Sequence, residues 1–544
     1  MVPSRLGPDR GASFNARVTL LGVPSHDDSP ARPVRFAALA LFAALAGCAA
    51  PSTRPVVFSA DAAEEVFSVG FSSIVARYID PVSVEKLALD GLRGFGAIDP
   101  ALSVARGDAT LSILASGKTL ASRPVPTTND PQAWGRVATE MALAARAHSA
   151  DFAAADAEKI YEAVFDGALA RLDVFSRYAG AEEAAGNRAR RDGYGGIGLR
   201  FSVVESMVRV TSVLPETPAE RAGIQKNDRI THIGDLPVAG MDNAEISRTL
   251  RGPVHSRVTL TVLRDGEAKP LRFALERTHI VPQTVTAHIR DRVVYLKISN
   301  FNQETAANVE ASVAKAKSEL GRNFRGVALD LRGNPGGILK QATRVADLFL
   351  AQGRMISTNG RHPDSVHIYE ASGEDIADGR PIVVLIDGKS ASAAEIVASA
   401  LQDRDRALVV GTSSYGKGTV QTVIRLPNEG EITLTWSRLV APSGFVLHGL
   451  GVMPNICTSG LIAGDEKSVA RALGRAEKDA ATLAAWRRAG LASEKRGQKL
   501  RSSCPSEANE NAGVEPEVAA RLLREPSLFQ RTLARSAATA EARR

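Results

Sequence analysis

What this sequence lacks removes several classes of protein at once. It has three cysteines in 544 residues, so it can close one disulfide at most. His362 and His367 sit at a ligand-like spacing with no cysteine pair beside them, which assigns them to a surface loop and leaves no metal site to expect. No stripe of lysine and arginine is interleaved with aromatics, and aromatics are only 5% of the chain, so nucleic acid is not an expected partner. No internal repeat is visible. The 67 basic and 60 acidic residues leave a net charge of +7, a modest excess that fits an anionic membrane surface without requiring one. With 44% hydrophobic and 23% charged residues, wholesale disorder is excluded, and the length implies about three folded units.

The amino terminus bears on the compartment. Arg32 and Arg35 precede FAALALFAALAGC, an apolar run too short to span a bilayer and shaped like a secretory h-region. The roughly thirty residues before Arg32 are unlike an n-region and point to a start near Val34. Leu45, Ala46, Gly47 and Cys48 resemble a bacterial lipobox, which implies lipidation of Cys48; a plain cleavable signal is the alternative. Cys457 and Cys504 then remain, as one disulfide in an oxidising space or as two free thiols.

Past the leader, residues 61–78 place Val66, Val69, Phe71, Ile74 and Val75 on a rough helical face. Helical patterns also cover 131–148 and 152–172, and ATLSILASGKTLASRPV predicts a strand pair between the first helix and these. From Leu461 onward Ala, Arg, Glu and Lys dominate, which predicts helices and a frayed end.

Residues 193–277 follow a different pattern. GYGGIGLRF is a glycine-rich turn entering a strand, MVRVTSVL alternates as a strand, TPAERAGI gives a short helix, and two more strands flank the turn at Asp265 and Gly266. The order of these pieces resembles a PDZ domain. That resemblance implies that Gly195, Gly196, Ile197, Gly198 and Leu199 form the loop that cradles a terminal carboxylate, with a peptide adding as a strand beside residues 199–201. The segment 246–252 would be the helix lining the groove.

From Asp291 to Asn455 buried-strand runs alternate with helical patterns: FRGVALDLRG, then ILKQATRVADLFL, RPIVVLID, KSASAAEIVASAL and ALVVG. Such alternation predicts parallel crossovers, whose sites gather beyond the carboxyl ends of the strands, where NPGG and SASAAE both fall. A serine at a strand-to-helix turn sits where N–H groups and the helix dipole favour an anion, although serine is also a common N-cap. Ser390 and Ser392 both qualify. The N–H of Ala393 and those of Gly336 or Gly337 are candidate oxyanion donors. Lys417, between two glycines, becomes a base only if burial lowers its pKa, and Gln421 is placed to orient it.

SASAAE, QDRDRALVVG, YGKGTVQT, LDLRGNPGG and APSGFVLHGLGVMPN, found behind a PDZ-like domain, resemble the C-terminal-processing (tail-specific) serine peptidases. The resemblance spans about half the chain. It implies a crotonase- or ClpP-like α/β core within a multidomain α+β chain, and a Ser-Lys dyad of Ser392 (nucleophile) and Lys417 (base), with Gln421 as its orienter. Gly336 or Gly337 would join Ala393 in the oxyanion hole, and no cofactor is needed. Substrates would be proteins with exposed C-terminal tails, in a bacterial periplasm, with lipid anchoring through Cys48 and an oligomer or adaptor as further partners. The implied division is a leader (1–47), a mostly helical domain with an insertion (48–192), the PDZ domain (193–280), the peptidase core (281–460) and a helical extension (461–544). Ala394 stands where the family usually repeats a serine, and FVLHGLGVMPN replaces a more acidic tail motif. The competing readings are a Ser-His-Asp hydrolase using His448, a crotonase-like acyl-thioester enzyme and a catalytically silent PDZ scaffold.

Overall fold

The computed structural model describes residues 58–204, 207–488, 494–509 and 513–541; Cys48 and the leader lie outside them. Its central sheet has the strand order Val285–Arg290, Val293–Ile298, Gly326–Asp330, Ile382–Ile386, Leu408–Gly411 and Ile456–Cys457. The first two strands are antiparallel, and every later neighbour is parallel, as the alternation of strand and helix predicts. The run Ile382–Ile386 is buried throughout because both faces of the sheet are covered.

Alternate side chains serve the two faces. Val327, Leu329, Ile382, Val384 and Ile386 pack with the helices Thr305–Leu320, Leu339–Asp347 and Ala393–Asp403. Ala328, Val383, Leu385, Leu408 and Val410 pack instead with Val514, Val518, Ala519, Leu522, Leu523 and Phe529. These last residues belong to the carboxyl-terminal extension. Its helices Glu466–Arg487, Glu494–Arg501, Glu515–Arg524 and Pro526–Glu541 are present as predicted, but they form the third layer of the core and not a frayed end. Each buried Leu or Val there contributes about 1.5–3 kcal/mol, so the sheet depends on the extension. Cys457 and Cys504 form a disulfide with Cα atoms 5.9 Å apart, tying the last strand of the sheet to the extension.

A second, antiparallel sheet runs His367–Ala371, Gly353–Asn359, Glu431–Val440 and Thr419–Arg425, and Arg177–Ala179 adds a strand to Glu431–Val440. Through that strand the amino-terminal domain joins the core. Its helices Ala60–Arg77, Val84–Arg93, Pro131–His148 and Ala157–Leu169 bury Phe67, Phe71, Trp134 and Phe165 together with Ile424, Ile432 and Leu434 of the antiparallel sheet. Two local expectations differ. The helix pattern over 152–172 is broken at Ala155, because Asp156 accepts from the Lys159 N–H and starts a new helix. The expected strand pair is a three-stranded sheet, since Leu102–Arg106 pairs with Thr110–Ala115.

The PDZ segment has the strand order Leu271–Glu276, Arg257–Leu263, Arg229–Ile233, Met207–Val213 and Leu199–Val204, so Leu199–Val204 keeps one free edge. The helix beside it is Asn243–Leu250, beginning earlier than the pattern over 246–252 predicts. Asp242 and Glu245 close a capping box there: Asp242 accepts from the Glu245 N–H, and Glu245 accepts from the Asp242 N–H.

Candidate active site

Three neighbouring parallel strands end at one edge of the central sheet, and each delivers one part of the site. Gly326–Asp330 leads into NPGG, Ile382–Ile386 into Ser392, and Leu408–Gly411 into the loop carrying Lys417. Backbone bonds tie the first two turns together: the Ala391 N–H donates to the Asn334 carbonyl at 2.9 Å, and the Gly333 N–H to Asp387 Oδ1 at 2.9 Å.

Geometry separates the two serines. Ser390 is fully buried, its Oγ donating to the Leu331 carbonyl at 2.8 Å and accepting from the Asp387 N–H at 2.9 Å. It holds the turn. Ser392 is half-buried and lines a cleft of about 700 Å³. Its backbone adopts φ +53°, a conformation that costs a non-glycine residue about 1–3 kcal/mol and that clusters at functional sites. The helix Ala393–Asp403 starts at once after it.

The glycines are also distinguished. The Gly336 N–H is committed to Asn334 Oδ1 at 2.8 Å, whereas the N–H groups of Gly337 and Ala393 have no acceptor among the described residues. Gly336 instead clears space, because a Cβ there would lie 2.9 Å from Ser392 Cβ at φ +109°. Gly336→Ala is therefore expected to displace the serine and lower kcat by about 10²-fold, read in a peptide-cleavage assay; wild-type kcat would contradict this packing role.

Glu395 joins the serine turn to the lysine loop. Fully buried, its carboxylate accepts from the Ser392 N–H at 2.6 Å, the Gly416 N–H at 2.7 Å, the Lys417 N–H at 3.0 Å and Ser414 Oγ at 2.5 Å. Burial pushes its pKa up, and the hydrogen bonds pull against that rise. Sequence reasoning gave this residue no role. The signal was there: a glutamate three residues after an N-cap serine is the capping-box spacing.

Lys417 is half-buried, and its pKa is lowered first by burial and then by the Arg177 cation, against the opposing pull of Glu395 and Asp173. Its Nζ lies 5.0 Å from the centre of the Phe175 ring and makes no hydrogen bond to Ser392 Oγ, a contact that often closes only with substrate bound. Phe175 also meets His448 edge-on at 6.2 Å, so that histidine packs on the same ring and forms no hydrogen bond to Ser392. Gln421 donates to Thr419 Oγ1 at 2.9 Å and Thr435 Oγ1 at 3.3 Å, and its amide oxygen accepts nothing from Lys417; Thr435 passes the chain on to Asp173 at 3.1 Å. Asp173 and Phe175 come from the amino-terminal domain, and no local pattern in the sequence marks them.

The cleft at Ser392 is walled by Phe301, Ile338, Leu339, Ile396 and Val420, with Arg177, Arg190 and Arg191 around it. A separate groove of about 510 Å³ lies between the PDZ strand and helix, lined by Gly196, Ile197, Gly198, Leu199, Phe201 and Leu250. Gly195, expected in the same loop, does not line the groove; it packs against the chain at Gly252, whose carbonyl oxygen a Cβ would approach to 2.0 Å.

Residues 292–458 match peptidase family S41, and residues 209–264 match the PDZ domain. The chain is 38% identical over 303 residues to the carboxy-terminal-processing protease of Bartonella bacilliformis, an overlap covering 55% of this chain and 70% of that protein. It is 30% identical over 305 residues to a "Probable CtpA-like serine protease" of Staphylococcus aureus, covering 55% of this chain and 60% of the other. A solved structure, the photosystem II D1 C-terminal processing protease, is 22% identical with a TM-score of 0.37, covering 73% of this chain and 92% of that one. The chain belongs to the carboxy-terminal-processing serine peptidases of family S41, with a PDZ domain preceding the peptidase core.

Proposed function

We propose that this peptidase cleaves proteins near their C-termini with a Ser392–Lys417 dyad, after its PDZ groove has captured the substrate's terminal carboxylate. The observation that carries this reading is the convergence of Ser392, two unoccupied N–H donors and a lysine of lowered pKa, joined through buried Glu395. Neutral Lys417 takes the Ser392 Oγ proton as that oxygen adds to the scissile carbonyl. The N–H groups of Gly337 and Ala393 receive the oxyanion. Collapse breaks the C–N bond, the lysine ammonium protonates the leaving amine, and the neutral lysine then activates water to release the acyl group.

The parallel crossovers and the Gly337 donor beside Ser392 support a crotonase- or ClpP-like core. Gln421 would act on the lysine indirectly, through Thr435 and then Asp173, whose charge bears on Lys417. The Cys457–Cys504 disulfide supports an oxidising compartment such as the periplasm, with Cys48 as the lipid anchor.

Tail capture is tested with one unfolded polypeptide made with a free and with an amidated C-terminus. Losing the charge-assisted bonds to the Ile197–Leu199 loop should raise KM by about 10-fold or more. Equal KM values would remove the PDZ domain from substrate recognition, and cleavage by a Ser392→Ala, Lys417→Ala double variant would remove the dyad.

A further inference from the structure

The S41 match ends at residue 458, yet a side chain well beyond it touches the loop that carries Lys417. Arg501, at the end of the helix Glu494–Arg501, donates from Nη1 to the Leu450 carbonyl at 2.5 Å and from Nη2 to the Ser414 carbonyl at 3.0 Å. These carbonyls belong to two chain segments that clasp each other around the lysine. The Gly449 N–H donates to the Gly416 carbonyl at 2.9 Å, the Ser414 N–H to the Val452 carbonyl at 3.1 Å, and the Val452 N–H to Ser414 Oγ at 2.7 Å. The guanidinium lies where glycines leave room: a Cβ on Gly451 would come 3.0 Å from Nη1, and one on Gly416 3.3 Å.

Glu395 holds the inner side of the same loop through Ser414, Gly416 and Lys417, so Ser414 is gripped from both sides. The arginine is itself anchored. Three residues on, Cys504 is bonded to Cys457, and its carbonyl accepts from Ser413 Oγ at 2.6 Å; the indole N–H of Trp486 donates to the Gly451 carbonyl at 2.9 Å.

We infer that Arg501 is a positioning residue for proteolysis: the carboxyl-terminal extension clamps the Lys417 loop from outside and keeps the lysine aimed and shielded from water. This rests on the dyad reading above. A clamp of this kind acts through geometry, and misplacing a reacting group by about 1 Å costs on the order of 10²-fold in rate.

The test compares wild type, Arg501→Met and Arg501→Lys in the full chain, measuring kcat, KM, the pH profile of kcat/KM and thermal unfolding on one peptide substrate. Arg501→Met is expected to lower kcat by about 10- to 100-fold with KM within about twofold. It should also move the acidic limb to higher pH, because a loosened loop lets water reach Lys417 and relieves the burial that lowers its pKa. Arg501→Lys keeps the charge but cannot span both carbonyls as a fork, and should fall between the two. If Arg501→Met does not fold, Arg501→Lys carries the same test with a smaller shift. A variant that melts earlier yet keeps the wild-type kcat and acidic limb per folded molecule would overturn the inference. If Lys417→Ala retains the wild-type profile the dyad fails; if Lys417→Ala is inactive and Arg501→Met is unchanged, only the clamp fails.

Discussion

Ser392→Ala is expected to lower kcat on a tailed substrate by about 10⁶-fold, leaving only what the oxyanion donors and substrate binding contribute. The expectation is this large because the neighbouring Ser390 cannot substitute: it is buried and bonded to Leu331 and Asp387. Tail binding by the PDZ domain should be unchanged. Ser392→Gly should be equally inactive but more stable than Ser392→Ala by about 1 kcal/mol or more, because glycine adopts φ +53° without penalty. Calorimetry of the two variants reads that difference. Equal unfolding temperatures would show that the serine turn stores no strain, and residual cleavage near wild type would exclude the nucleophile.

Replacing Lys417 by alanine should cost about 10²–10⁴-fold in kcat, the usual contribution of a positioned base. Lys417→Arg should be as poor, since a guanidinium keeps its charge at working pH and cannot accept the serine proton. Stability should move the other way. Burial holds the native pKa of this lysine below 10.5, so between the two values the unfolded chain binds a proton that the native state does not. Wild-type stability therefore rises with pH through that window, and at neutral pH the native protein carries the cost of the depressed pKa. Lys417→Met keeps much of the packing without that cost, and should unfold at a higher temperature than wild type at pH 7. Unfolding at a lower temperature would mean that the ammonium is stabilised where it sits, for instance by the Phe175 ring, and not desolvated.

The parallel core was legible because its strands are continuous apolar runs that alternate with helical patterns, and its turns are marked by glycine and small residues. Ser392 and Lys417 came from motifs, and the family resemblance preferred Ser392 to Ser390; the hydrogen bonds supply the physical reason, since they commit Ser390 to the turn. Glu395 could have been read from its spacing. Asp173, Phe175 and Arg177 could not, because they reach the site by strand pairing between Arg177–Ala179 and Glu431–Val440, which local pattern does not encode. Leu102–Arg106 was missed as a strand because its apolar alternation is confined to Leu102 and Val104, of which only Leu102 is fully buried. In the extension, Val514, Val518 and Leu522 recur at helical spacing on the face that meets the sheet, but the surrounding Arg, Glu and Ala hide them in composition. Arg501 carries no sequence signal at all, since its role is set by where the disulfide and the helix end place it.

A lysine can serve as base here only if it is neutral while the enzyme works, and the pH dependence of kcat/KM measures that most directly. For wild type the acidic limb should have its midpoint below the free-lysine value of about 10.4, and the limb should vanish from the residual rate of Lys417→Ala. A midpoint at the free-lysine value, or a limb that survives the substitution unmoved, would contradict the dyad.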